Sequence, residues 1–275
     1  VSYTTVMVHL KLGQSNAYVL RVASELAERF ESRLIGIAAA QPIQFNIGDG
    51  YISGDLIEQE RDEIAEECKK VELEFHTINE GKQRTSEWRS TTTCSTIAAY
   101  VAQQARSADL IVTAVATQDA FDAQRQVKLA DLLMQAGRPL LIVPDAVNPH
   151  SFNSVVIAWK DTRETRRAIV DALPLLKLAS HISVVEIAVE GEINGAHTSI
   201  EDVCAWLRRH DIDAIPIVSE SRSDDERHLQ LIAQEQSADV IVAGAYGHSR
   251  LHEWALGGMT RALSLQEKFL AFLSH

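Results

Sequence analysis

The stretch Ala238–Thr260, ADVIVAGAYGHSRLHEWALGGMT, decides how this chain is read. Val240–Ala243 is a short apolar run of the kind that forms a parallel strand covered on both faces. Gly244 and Gly247 leave its carboxyl end, and Gly257 and Gly258 stand ahead of a segment with helical spacing. Glycine permits positive φ and close approach of the main chain, and a helix N-terminus carries unpaired N–H groups, so two donor sets at this junction are expected to converge on an anion.

Working outward, the run has a counterpart. Ala108–Asp109–Leu110–Ile111–Val112 repeats as Ala238–Asp239–Val240–Ile241–Val242 at an offset of 130, and Val6–Lys11 repeats as Val155–Lys160 at an offset of 149. The first copy is therefore 19 residues longer between these markers. The surplus is placed at Gln41–Glu60, where Pro42, Gly48, Gly50 and Gly54 break the pattern. A long amphipathic helix follows, with Ile57, Ile64, Cys68, Val71 and Phe75 on one stripe and Asp55 with Glu58 as a capping box. Pro144–Ser154 has two prolines, two asparagines and no apolar period, so it reads as the linker between domains 1–147 and 153–275.

Each copy alternates five strands with four helices, which implies a parallel sheet with helices on both faces. In the second copy the strands are expected near Val155–Trp159, Ile182–Ile187, Ala214–Val218, Val240–Ala243 and Phe269–Leu273. One helix starts after Thr162, with Ala168, Ile169, Ala172, Leu173 and Leu176 buried and Pro174 as a kink. A second is expected at Thr198–Ser199 with Glu201 closing a capping box, and a third at Ser223 with Glu226. Ligands of such sheets bind beyond the carboxyl ends of strands where strand order reverses.

The totals bound what the chain does. Its 275 residues, 46% of them hydrophobic, support a substantial core. A net charge of -12 argues against a broad nucleic-acid or anionic-membrane footprint, though main-chain amides can still hold an anion locally. Cys68, Cys94 and Cys204 lack zinc or redox spacing and read as reduced packing residues. No apolar stretch reaches the roughly 18 residues that span a bilayer, and no leader pattern opens the sequence, so a cytoplasmic location is expected.

Gly244-x2-Gly247-x9-Gly257 resembles the nucleotide motif of the universal stress protein family, and the run Gly244–Leu251 resembles bacterial tandem members. The first-strand signature of both copies and Gly137–Pro144, similar to the family's fifth strand, extend the likeness to nearly the whole chain. The resemblance implies an α/β fold of two tandem Rossmann-like domains of the adenine nucleotide alpha hydrolase-like kind, each a five-stranded parallel sheet. It implies ATP or a related adenine nucleotide as ligand, with Mg²⁺ as a possible companion, and pairing of modules through fifth strands, as a homodimer or an intrachain pseudo-dimer. It places Gly244, Gly247, His248, Gly257, Gly258 and the Met259 amide around the phosphates. Ala158, Trp159 and Lys160 would approach the adenosine, and the backbone at Ile187 and Ala188 the base.

The departures are specific. Many nucleotide-binding members carry aspartate at the end of the first strand; here Lys160 stands there, followed by Asp161, and Lys11 stands at the equivalent place in the first copy. Ammonium cannot accept a hydrogen bond, so Asp161 must substitute or Lys160 must turn to phosphate. Both lysines otherwise read as strand-end residues with packed stems and ammonium groups in water. Gly258 replaces a hydroxyl residue, a loss of about 1 kcal/mol that Thr260 partly offsets. In the first copy Gly244, Gly247, Gly257 and Gly258 align with Ala114, Thr117, Val127 and Lys128, so at most one nucleotide per chain is expected.

Enzymatic alternatives are weak. Gly247–Leu251 lacks the last glycine of a hydrolase nucleophile turn, and no Walker motif occurs. His248, His252 and Glu253 lack a further ligand for a metal, so neither metal nor catalytic residues are assigned. Gly48, Gly50 and Gly54 do not form a dinucleotide fingerprint. The sequence thus points to a nucleotide-dependent regulator acting on an unidentified protein partner. A scaffold that has lost nucleotide binding, and a slow ATP hydrolase, are the alternatives.

Overall fold

The computed structural model describes residues 2–42, 54–115, 126–144, 152–221, 224–245 and 269–275. They form an α/β fold that divides into two compact units, Tyr3–Arg138 and Pro139–His275.

The first unit runs β1 (Thr5–His9), α1 (Ala17–Arg29), β2 (Arg33–Ala40), α2 (Gly54–Asn79), β3 (Ser86–Thr92), α3 (Ile97–Gln104), β4 (Leu110–Ala114) and α4 (Leu129–Ala136). Its strands are parallel in the order β3-β2-β1-β4. The central strands are buried along most of their length, whereas β3 at the edge is polar and partly exposed. The long amphipathic α2 buries Ile64, Val71 and Phe75 as its spacing predicts, but Ile57 is exposed and Cys68 half-buried. Phe75 lies where a Cβ on Gly36 would come within 2.6 Å of its ring, so only glycine in β2 lets this helix seat.

The second unit runs β5 (Leu140–Val143), β6 (Ser154–Ala158), α5 (Arg163–Leu176), β7 (His181–Ala188), α6 (Ile193–Arg208), β8 (Ile215–Glu220), α7 (Asp225–Glu235), β9 (Val240–Gly244) and β10 (Leu270–Ser274). The strand order is β5-β10-β9-β6-β7-β8, parallel except for β5, which runs antiparallel to β10. Here the expected five plus five strands are corrected. The strand that ends the first sequence copy groups with the second unit, because its main chain pairs there, Leu141 opposite Phe272. The linker expected after it falls largely on residues 145–151, outside those described.

The Ala-Asp repeat has a physical basis. The Asp109 carboxylate accepts from the Thr4 and Thr5 N–H groups at 2.7 and 3.0 Å, and Asp239 accepts from Asn153 and Ser154 at the same two distances. Each aspartate thus ties the start of a fourth strand to the start of the first strand of its copy, satisfying donors that no ladder reaches.

The α5 start is as expected: Thr162 Oγ1 accepts from Thr165 N, and the five anticipated apolar residues are buried. Two other starts are corrected. The α6 helix begins at Ile193, so Thr198 is internal and its hydroxyl donates back to the Asn194 carbonyl rather than capping. For α7 the cap is Asp224, whose carboxylate accepts from Arg227 N at 2.9 Å. Ser223 lies outside the described residues.

Candidate functional site

In the second unit the chain steps from β6 to β7 to β8 and then returns to place β9 on the other side of β6. Strand order therefore reverses between β6 and β9, and their carboxyl ends form the crevice where a ligand of this fold class sits. Ala158 of β6 stands opposite Ala243 of β9, and Gly244 follows. The structure thus brings Ala158 and Gly244, which lie far apart in sequence, to one place.

Gly244 is glycine for a reason other than the expected one. It is absent from the positive-φ glycines, and a Cβ there would lie 2.4 Å from Thr165 N and 2.5 Å from the Glu164 carbonyl carbon. The end of β9 presses against the main chain of the first turn of α5, and any side chain would force them apart. Ala245 continues along β10, donating to the Ser274 carbonyl at 2.8 Å. Gly247, His248, Gly257, Gly258, Met259 and Thr260 lie outside the described residues, as do His252 and Glu253.

The end of β6 is built as follows. Trp159 N donates to the Val185 carbonyl at 2.8 Å, while its indole Nε1 donates to Ser199 Oγ of α6 at 2.9 Å. Lys160 is exposed, and its carbonyl accepts from Thr162 N at 2.6 Å. Asp161 is exposed and holds Arg166 at 2.8 Å, so the carboxylate considered as a replacement acceptor already has a cationic partner. Ala188 ends β7, buried, with its carbonyl accepting from Ser221 N at 2.7 Å.

Two carboxylates nearby escaped the sequence reading. Glu164 is buried in the first turn of α5. Burial raises its pKa, but the donation of its own N–H, the Arg163 guanidinium and the Thr162 hydroxyl outweigh this and hold it below the usual value. Glu186 of β7 keeps one buried carboxylate oxygen without a hydrogen-bond partner. Burial pushes its pKa up, Lys160 pulls it down, and Asp161 and Glu192 push it up further. An acid inside the apolar run of β7 was the signal available for it.

The corresponding place in the first unit is filled. His9 stands opposite Thr113, where the second unit has Ala158 and Ala243, and its Nδ1 lies 3.1 Å from Thr113 Oγ1. Burial and then the Lys11 charge lower the His9 pKa to about 4, so the imidazole is neutral. Lys11 is only 7% exposed, and its ammonium donates to the Val115 carbonyl. The expectation of an ammonium in water is therefore corrected for Lys11. The chain turn after it is clasped by Asn16, which accepts from Lys11 N at 2.8 Å and donates to its carbonyl at 2.9 Å.

Among the described residues no group of three or more His, Cys, Asp or Glu is arranged to hold a metal, and no helix is long and apolar enough to cross a membrane. No protein-family model matches the chain, and no curated protein matches it in sequence. Its fold is that of solved universal stress proteins. One from Archaeoglobus fulgidus DSM 4304 is similar with a TM-score of 0.71 at 12% identity, covering 98% of this chain and 95% of its own. A functionally unknown protein from Pseudomonas aeruginosa PAO1 is similar with a TM-score of 0.60 at 12% identity, covering 99% and 92%.

Proposed function

We propose that the chain is a regulatory protein of the universal stress type that takes ATP or a related adenine nucleotide in its second half, without catalysing a reaction. The observation that carries this reading is the contrast at the two strand ends. Where the first unit has His9, Thr113 and a buried Lys11, the second has Ala158, Ala243 and Gly244, the smallest side chains available, at its reversal of strand order. Main chain at Ala158–Asp161 and Ala188 would line the adenosine. The segment from Gly244 through Gly247 and His248 to Gly257, Gly258, Met259 and Thr260 would supply donors to phosphate, with Mg²⁺ as counter-ion. Occupancy would bias a surface read by a protein partner.

Pairing of β5 with β10 supports the view that the two sequence copies, 1–147 and 153–275, act as an intrachain pair through their fifth strands. A second reading, a scaffold without ligand, is favoured by the ion pair that occupies Asp161.

Isothermal titration of the full chain with ATP, with and without Mg²⁺, separates the two. One nucleotide per chain, abolished by Gly247→Val, is expected. No heat at millimolar ATP leaves the scaffold.

A further inference from the structure

A groove of about 460 Å³ opens between α5 and α6, within the roughly 300–1,000 Å³ usual for small-molecule sites. The groove stripe of α6 is distinct from the one it buries, while on α5 the buried Ile169 belongs to both. On α6 the buried stripe is Ala196, Ile200, Cys204 and Leu207, while Ser199, Asp202, Val203 and Trp206 recur at helical spacing along the groove. On α5 the groove stripe is Arg166, Ile169 and Val170, and Val170 is 48% exposed although apolar.

The two indoles are held as walls. Trp159 is 7% exposed and lines the groove with its indole donor already committed to Ser199 Oγ, so its ring carries no unmet polar demand. The Trp206 ring, further along α6, lies against the His210 ring, with centroids 4.4 Å apart.

The charge around these walls has one sign left over. Arg166, the one cation among the described lining residues, is bound to Asp161 at 2.8 Å, and the remaining carboxylate, Asp202, has no ion pair or hydrogen bond among the described residues. An indole face attracts a cation through its quadrupole, and a carboxylate beside it adds Coulomb attraction. An anion would meet both as repulsion, and the chain's net charge of -12 adds to that.

We propose that this groove binds a flat organic cation, an ammonium group carried on an aromatic or fused apolar body, with Trp159 and Trp206 contacting the body and Asp202 the charge. The groove shares Trp159 and Asp161 with the proposed nucleotide site, but it opens between two helices and asks for the charge opposite to a nucleotide's, so it calls for a different ligand.

The test is calorimetric titration of the full chain with 1-naphthylmethylammonium, and with 1-naphthoate as a flat anion of similar size. The cation is expected to bind at least about tenfold more tightly than the anion, with Trp206→Ala weakening it about tenfold and Asp202→Asn about threefold. Asp202 is exposed, so its variant decides the matter even if Trp206→Ala does not fold. Gly247→Val should leave cation binding unchanged, which separates this site from the nucleotide reading. No heat at millimolar cation, equal affinity for cation and anion, or indifference to Asp202→Asn overturns the proposal. So does self-association in sedimentation velocity that Asp202→Asn or Trp206→Ala abolishes, because the groove would then be covered by a second copy.

Discussion

Lys11 and Lys160 occupy the same position in the two sequence copies, yet one is buried against a carbonyl and the other is exposed. Around Lys11 the strand ends carry His9 and Thr113; around Lys160 they carry Ala158 and Ala243, with Gly244 in place of Ala114. One copy carries His9 and Thr113 at its strand ends, and the other carries alanines. The difference shows that two copies of one frame can bear side chains of different size and polarity at equivalent strand ends.

The largest test of this contrast is at Gly244. Gly244→Ala puts a Cβ into main chain that cannot yield cheaply, and a loss of about 3 kcal/mol or more is expected in denaturant unfolding. Ala114→Gly, at the aligned position, should cost only about 1 kcal/mol, by adding freedom to the unfolded chain. Equal losses would mean that the two strand ends are packed alike.

The second test is pH. The folded pKa of His9 lies below its ordinary 6.5, so the unfolded chain takes up the proton first. Stability from this group is complete above about pH 6.5 and falls as pH drops toward 4, by on the order of 3 kcal/mol in total. His9→Gln should flatten that part of the stability curve, and an unchanged slope would show that another group carries it.

A smaller effect is expected at the lysines. Lys11→Ala removes a buried charge-assisted hydrogen bond and should cost about 2 kcal/mol, against about 0.5 kcal/mol or less for Lys160→Ala. Lys11→Met should also raise the His9 pKa, which NMR titration of the imidazole reads directly, since the Lys11 charge is the second cause of its depression. The smallest effect is at Gly258. Restoring a hydroxyl with Gly258→Ser should tighten ATP by about 1 kcal/mol, several-fold in Kd, if the second crevice holds phosphate as proposed.

Much of the frame was legible in the chain itself. The repeated Ala-Asp and the short apolar runs marked the strands, because a strand buried on both faces must be apolar throughout. Thr162 marked the start of α5, because a hydroxyl at that place meets an orphan N–H. The same kind of signal misled at Thr198, since the spacing of a capping box also occurs inside a helix, where its hydroxyl turns back to a carbonyl. The positive φ expected of Gly244 is not adopted, and nothing local records that α5 arrives within 2.4 Å of its would-be Cβ.

Sequence alone determined the alternation of strands and helices among the described residues, the repeated Ala-Asp and the small residues at the ends of β6 and β9, all of which follow from local periodicity and side-chain size. The fourth helix expected in the second copy lies outside the described residues. Tertiary structure decided which lysine is buried, which strand closes with which unit, and that Trp159 turns its indole to α6 to form the wall of a groove. Those outcomes depend on groups far apart in the chain competing for the same space and the same hydrogen-bond partners, and no window of sequence contains both competitors.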